Sequence, residues 1–295
     1  MKIIDFKSLV FKCVLTGFAL FLAACGGEEK RRAEAKARKM VDYSGMSKTF
    51  GKPFAVPSIS ADADMLWCPP GTFLMGSPRG EERRYENETL HSVTLTRGFW
   101  LGKHEVTQAQ WEKVMGGNPS YFMGPNRPVV DVSWEDAVAF CKKLTDMELK
   151  AGRVPKGWAY QLPTEAQWEY TCRAGTQTRF AFGDELTVKQ ANFDENVDET
   201  TEVGKYPTNA WDFYDMHGNA WEWCRDWHDD NYYERASAKH DPLGPVAGSR
   251  RVTRGGSWFA GAMSARSAYR DNAEPGVAYG NQSFRLSFSV YEQAE

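Results

Sequence analysis

Residues 161–175 read QLPTEAQWEYTCRAG, and they hold the most local fold information in the chain. AYQL (159–162) carries strand-type residues. Pro163 helps to end that strand, because its ring removes a backbone donor. Thr164 then offers a hydroxyl to the exposed amides of a first helical turn, and Gln167 can answer back to the amide of Thr164. Gly175 closes the helix. A strand, a stop and a capped helix therefore follow from one short run.

Two other segments upstream repeat this signature. EVTQAQWEKVMGG offers Thr107 with Gln110 and ends at Gly116-Gly117. DVSWEDAVAFCKKLTDMELKAG offers Ser133 with Asp136, has apolar residues at 134, 137, 138, 141 and 144, and ends near Gly152. Short strands are expected in MLWCPPGTFLMG (65–76), HSVTLTRGFWLGKHEV (91–106) and FRLSFSV (284–290), which are β-branched and aromatic. His104 reads as a strand position within this set. After Arg173 the helical pattern fades, and residues 175–250 are mostly Gly, Asn, Asp, Pro and aromatics. Loops that long need ties: buried tryptophan, disulfides or metal. The chain has eleven tryptophans, most of them expected to be core anchors. Few helices, short strands and long ordered loops make an α+β domain.

The N-terminus differs in character. Residues 1–24 carry lysines at 2, 7 and 12 and an apolar run from Cys13 to Ala24, too short for a stable membrane-spanning helix. The run ends in Leu22-Ala23-Ala24-Cys25, which resembles the bacterial lipobox. That resemblance implies a signal peptide over 1–24 and acylation of Cys25, and hence a lipid anchor; the plain alternative is an ordinary cleaved signal. Gly26 and Gly27 follow without an aspartate, which by the same resemblance favours the outer membrane. Residues 25–60 read as a tether: a charged, alanine-spaced stretch over 28–40, then a linker with prolines at 53 and 57. Removing 1–24 takes away three lysines and one aspartate, so the net charge moves from −3 to −5. No basic field remains to gather nucleic acid, and glutamates interrupt the one basic run.

Seven segments in order carry a family resemblance: GTFLMGS (71–77), HEVTQAQW (104–111), PVVDVSWEDAVAFC (128–141), QLPTEAQWEYTCRAG (161–175), NAWDFYDMHGNAWEWCRD (209–226), RVTRGGSW (251–258) and SFRLSF (283–288). Together they resemble the sulfatase-modifying factor, or formylglycine-generating enzyme, domain, from about residue 65 to the end. The resemblance implies a single irregular α+β domain over 61–295, a variant of the C-type lectin fold. In active members two cysteines just after the GGS motif bind copper(I) and oxidise a substrate cysteine, chemistry that suits soft thiolates. Here the corresponding stretch is WFAGAMSARSAYR, and no cysteine lies between Cys224 and Glu295. Copper is therefore not expected, while Ser257 and Trp221 match residues lining the family pocket.

The resemblance also implies calcium. DMHGNAWE would supply Asp215 and Glu222 by side chain and Gly218 and Ala220 by carbonyl; a second set would use Asn192, the carbonyl of Phe193 and Asp198. Such mixed oxygen sets suit a hard ion. Cys141 and Cys172 match family cysteines that bond C-terminal partners, near whose positions stand Ala265 and Leu286. Rearranged disulfides and buried free thiols both stay open for Cys68, Cys141, Cys172 and Cys224. The five histidines show no ligand spacing. Arg254, Arg266, Arg270 and Arg285 are expected to hold buried carboxylates and carbonyls. YENE (85–88) and HDDNYYE (228–234) pair acids with aromatics, as sugar-binding grooves do and as solvated loops also do. The leading expectation is a non-oxidising envelope lipoprotein that binds peptide or glycan or acts as an accessory protein. The alternatives are an oxidase using other residues and a calcium-stabilised structural scaffold.

Overall fold

Each of the three capped segments forms the helix its ends encode. The protein is described by a computed structural model over residues 51–62 and 64–291, which fall within the unit Met46–Glu295. The signal segment, Cys25 and the charged stretch lie outside the described residues. Helix α1 (Gln108–Met115) starts at Thr107, α2 (Trp134–Lys150) at Ser133 and α3 (Glu165–Arg173) at Thr164, and all three have complete capping boxes. In α2 the buried stripe includes Ala137, Phe140, Cys141, Leu144 and Glu148, whereas Val138, expected inside, is exposed. The stripe is rotated so that Phe140 can stack on Trp111 of α1 at 5.4 Å.

Among the described residues ten short strands form three sheets. Strands β1 (Met65–Cys68), β4 (Phe99–Gly102), β10 (Ser287–Val290) and β5 (Trp158–Gln161) pair antiparallel in the order β1-β4-β10-β5. Strands β2 (Gly71–Met75) and β3 (His91–Leu95) make a two-stranded sheet. The third sheet runs β8 (Asp271–Ala273), β7 (Arg251–Arg254), β6 (Trp221–Trp227), β9 (Gln282–Ser283), with β9 parallel to β6. Of the last sheet, β6 lies within residues 175–250, the part of the chain that reads as loop. His104 falls in the bend after β4 and not in a strand; its ring faces the Glu105 carbonyl at 2.8 Å and Asp64 at 3.7 Å.

The prolines at 53 and 57 argue for a linker, yet these residues pack. Phe54 pairs with Met65 and sits 5.6 Å from the Trp100 ring and 5.7 Å from Phe288, and Val56 and Ile59 are buried. A local proline signal is overridden here by apolar burial. The core joins Leu101, Trp168, Phe213, Met216 and Val252, so α3 is packed between sheets, and Trp100, Trp168 and Trp223 are among the largest fully buried side chains.

Candidate functional site

Two left-handed glycines, Gly255 (φ 96°) and Gly256 (φ 76°), turn the chain after β7. A side chain at Gly256 would press on the Ala265 backbone at 3.1 Å, and one at Gly255 on the Trp168 ring at 3.2 Å. The turn tucks Ser257 inside, fully buried. Trp221, half-buried, heads β6. Asn281 joins the two: its carbonyl accepts from the Trp221 N–H at 2.9 Å and its amide donates to the Ser257 hydroxyl at 3.4 Å.

The adjoining rim is aromatic. Trp258 meets Phe259 at 5.6 Å and Phe122 at 5.6 Å, and Phe122 meets Tyr121 at 5.2 Å. Tyr121, Met123 and Phe259 are 80%, 64% and 58% exposed, and the indole N–H of Trp258 is buried with no partner. Exposed rings of this kind, beside an unmatched donor, mark recognition surfaces more than cores. Sequence reasoning missed residues 121–123, because aromatics in a loop default to burial and nothing local says otherwise.

The sulfurs are shut away. Cys68, Cys141, Cys172 and Cys224 are free and buried. Burial pushes the Cys68 and Cys172 thiols up to about 12, and those of Cys141 and Cys224 upward as well. The Cys172 sulfur meets the Ser267 hydroxyl at 3.6 Å and the His217 ring at 3.7 Å. The C-terminal side chain facing Cys172 is thus Ser267, two residues beyond Ala265. Neutral, enclosed thiols of this kind are poor nucleophiles and poor metal ligands.

The four arginines behave as expected. Arg285 holds both Glu222 oxygens at 2.6 Å and donates to the carbonyls of Gly102 and Tyr214. Arg254 pairs with Glu169 and reaches the Ser267 and Tyr269 carbonyls. Arg266 takes Glu88 and Glu81, and Arg270 takes Glu165.

This pairing bears directly on calcium. Glu222 also accepts from the Trp168 indole at 2.8 Å, so its oxygens are committed and it does not fit as a calcium ligand. Asp215 accepts from the Gly204 N–H at 2.7 Å, and burial raises its carboxyl to about 6. Beside it lies an acid that sequence reasoning passed over. Glu105 is fully buried, accepts from Asn219 at 2.9 Å through one oxygen and has no partner at the other. Burial, reinforced by Asp215 and Glu222, holds it well above the usual carboxylate range. Neither the Gly218 nor the Ala220 carbonyl adds a charge to offset this loss. The second set fits better: Asn192 is buried, its side-chain amide donates to the Glu199 carbonyl at 2.9 Å and its side-chain oxygen has no partner. The Phe193 carbonyl accepts from the Asn196 N–H at 3.1 Å, and Asp198 stands exposed on the same loop. Among the described residues no cluster of three His, Cys, Asp or Glu is suited to a metal.

Against known proteins, the model of a family described as the sulfatase-modifying factor enzyme 1-like domain matches residues 50–289. The chain is 36% identical over 208 residues to a formylglycine-generating enzyme of Streptomyces coelicolor, covering 64% of this chain and 60% of that one. It is 31% identical over 255 residues to a serine/threonine-protein kinase pkn1 of Chlamydia caviae, covering 77% and 38%. The solved structure of PvdO from Pseudomonas aeruginosa overlays with a TM-score of 0.67 at 29% identity, over 77% of this chain and 94% of that one. The chain thus spans 60% and 38% of the length of these two curated relatives.

Proposed function

The chain belongs to the sulfatase-modifying factor enzyme 1-like family, and on that premise we propose a non-oxidising recognition protein of the bacterial envelope. It is held at the membrane, by preference the outer one, through a lipid on Cys25. Its domain binds a peptide or glycan of another envelope component on the face formed by Trp221, Ser257 and Trp258, and nucleic acid is not a partner. Calcium in this reading is structural, at the Asn192 loop.

One observation carries the reading: the site retains its serine, tryptophan and turning glycines but has no thiolate to offer. No cysteine follows Cys224 in the sequence, and every described thiol is buried and held protonated. Thiol oxidation at copper(I) needs exchangeable thiolates. Recognition needs only the aromatic rim, which is present.

The protein incubated with copper(I), oxygen and a cysteine-containing sulfatase peptide is expected to leave the peptide mass unchanged. Appearance of the aldehyde would replace this reading with an enzymatic one. In parallel, captures from envelope extract by wild type and Trp221→Ala are expected to differ in partner profile. Identical profiles would remove this face from the account.

A further inference from the structure

A second concave surface lies on another part of the molecule. The loop after β2 and the segment after β6 enclose a cleft of about 1070 Å³, lined by residues of 77–90 and 230–234. It joins YENE and HDDNYYE, the two acid-and-aromatic stretches, which are far apart in sequence: Asn87 donates to Asp230 across the cleft at 3.0 Å. The volume slightly exceeds the range usual for small-ligand clefts, about 300–1,000 Å³, and gives room for an oligomer.

The walls are fixed from behind. The buried Arg270 guanidinium, anchored on Glu165, donates to the Asn87 carbonyl at 3.0 Å and to the Asp229 carbonyl at 3.3 Å, so one side chain clamps both sides. Arg266 holds Glu88 and the Arg83 carbonyl, and Ser77 donates to Glu88 at 2.7 Å. A cleft held this way is preorganised, which lowers the ordering cost of binding.

The lining chemistry narrows the class. Arg79 and Arg84 stand against Glu86, Asp230 and Glu234, close to balance, so the field steers neither strong anions nor strong cations. Apolar surface is limited to Pro78, Leu90 and the Tyr85 ring, too little to seat the hydrophobic anchors of a peptide. Tyr85 is 47% exposed and braced edge-on by Tyr269 at 5.5 Å. A rigid ring beside carboxylates, carboxamides and a guanidinium suits a ring with an apolar face and a rim of hydroxyls, each both donor and acceptor.

We propose that this cleft binds a neutral oligosaccharide, with Tyr85 stacking on a sugar ring and Asn87, Asp230 and Arg84 reading its hydroxyls. The site is separate from the Trp221–Ser257–Trp258 face and would stand if that face proved inert.

Calorimetric titration of the purified protein with maltohexaose, cellohexaose and chitohexaose tests it, with a pentalysine peptide as the cationic comparison. At least one hexasaccharide is expected to bind with an affinity insensitive to salt. Tyr85→Ala and Asp230→Ala, both at exposed positions that leave the core intact, should each weaken it about tenfold or more, a change of about 1.4 kcal/mol. Val188→Ala, at an exposed position outside both surfaces, should leave it unchanged. Failure of all three sugars to bind, or binding retained in both cleft variants, overturns the proposal. Salt-screened binding of pentalysine without sugar binding overturns it in favour of a cationic peptide.

Discussion

The His217 ring has both nitrogens engaged: Nδ1 donates to the Ala265 carbonyl at 2.7 Å, and Nε2 accepts from the Ala181 N–H at 3.0 Å. Burial holds its pKa down at about 4, and a second proton would also face that N–H. Between pH 6.5 and about 4 the unfolded chain binds the proton and the folded chain does not, so stability falls as pH falls through this window. Asp226 acts with the opposite sign. Burial, aided by Glu165, raises its carboxyl to about 7 from 3.8. Stability is therefore lost as pH rises from about 3.8 to about 7, where the unfolded chain has released a proton that the native state keeps. Asp226→Asn preserves the acceptor for the Glu165 N–H, seen at 2.8 Å. The variant is expected to be more stable than wild type at pH 8, by about 1–3 kcal/mol on the scale of 1.36 kcal/mol per pKa unit. It should match wild type below pH 4. Urea unfolding across that pH range measures this, and equal stability at pH 8 would mean that Asp226 is charged in the folded protein at little cost.

At the scale of elements, Arg285 acts as a clasp between sheets. It lies between β9 and β10, binds Glu222 of β6 and reaches the carbonyl of Gly102 at the end of β4. Arg285→Met would leave Glu222 buried without its counter-charge, a loss of about 3–5 kcal/mol. Adding Glu222→Gln should recover part of it, and a double-mutant cycle read by thermal unfolding would show the coupling. Additive losses would mean that the pair is not a unit. The same pair explains why β6 is not legible in the sequence. The buried face of β6 carries Glu222 and Asp226, acids that look solvent-facing until the Arg285 guanidinium is placed against the first and the Glu165 N–H against the second. The helices were legible because a capping box needs only residues three apart. Site residues divide the same way. Ser257 and Trp221 follow from a motif, whereas Glu105 and the Tyr121–Met123 rim acquire meaning only from neighbours that the fold brings in.

Across the whole molecule, the segment between α3 and β6 has no helix or strand among its described residues and must be held by other means. Asn192 and Asn219 do much of this. The Asn192 carbonyl accepts from the Asn219 N–H at 2.7 Å, and the Asn219 side chain joins the Thr201 N–H to Glu105. Gly218, at φ 114°, has no room for a Cβ against the Asn192 carbonyl, so the two ends of the loop are locked at close approach. Within this lock the Asn192 side-chain oxygen lacks a donor, as does one oxygen of Glu105. A calcium ion at the Asn192 oxygen, completed by the Phe193 carbonyl, by Asp198 and by water, would satisfy it. Calcium at about a hundred times its dissociation constant would add about 2.7 kcal/mol, a rise of about 5–11 °C at 2–4 °C per kcal/mol for a domain of this size. Asn192→Ala should lower the starting melting temperature and abolish the response. Magnesium should not replace calcium, because its smaller octahedral shell tolerates an irregular carbonyl site poorly. If calcium leaves the wild-type melting curve in place, the loop is held by its hydrogen bonds alone, and the unmatched oxygen is a cost that the fold carries.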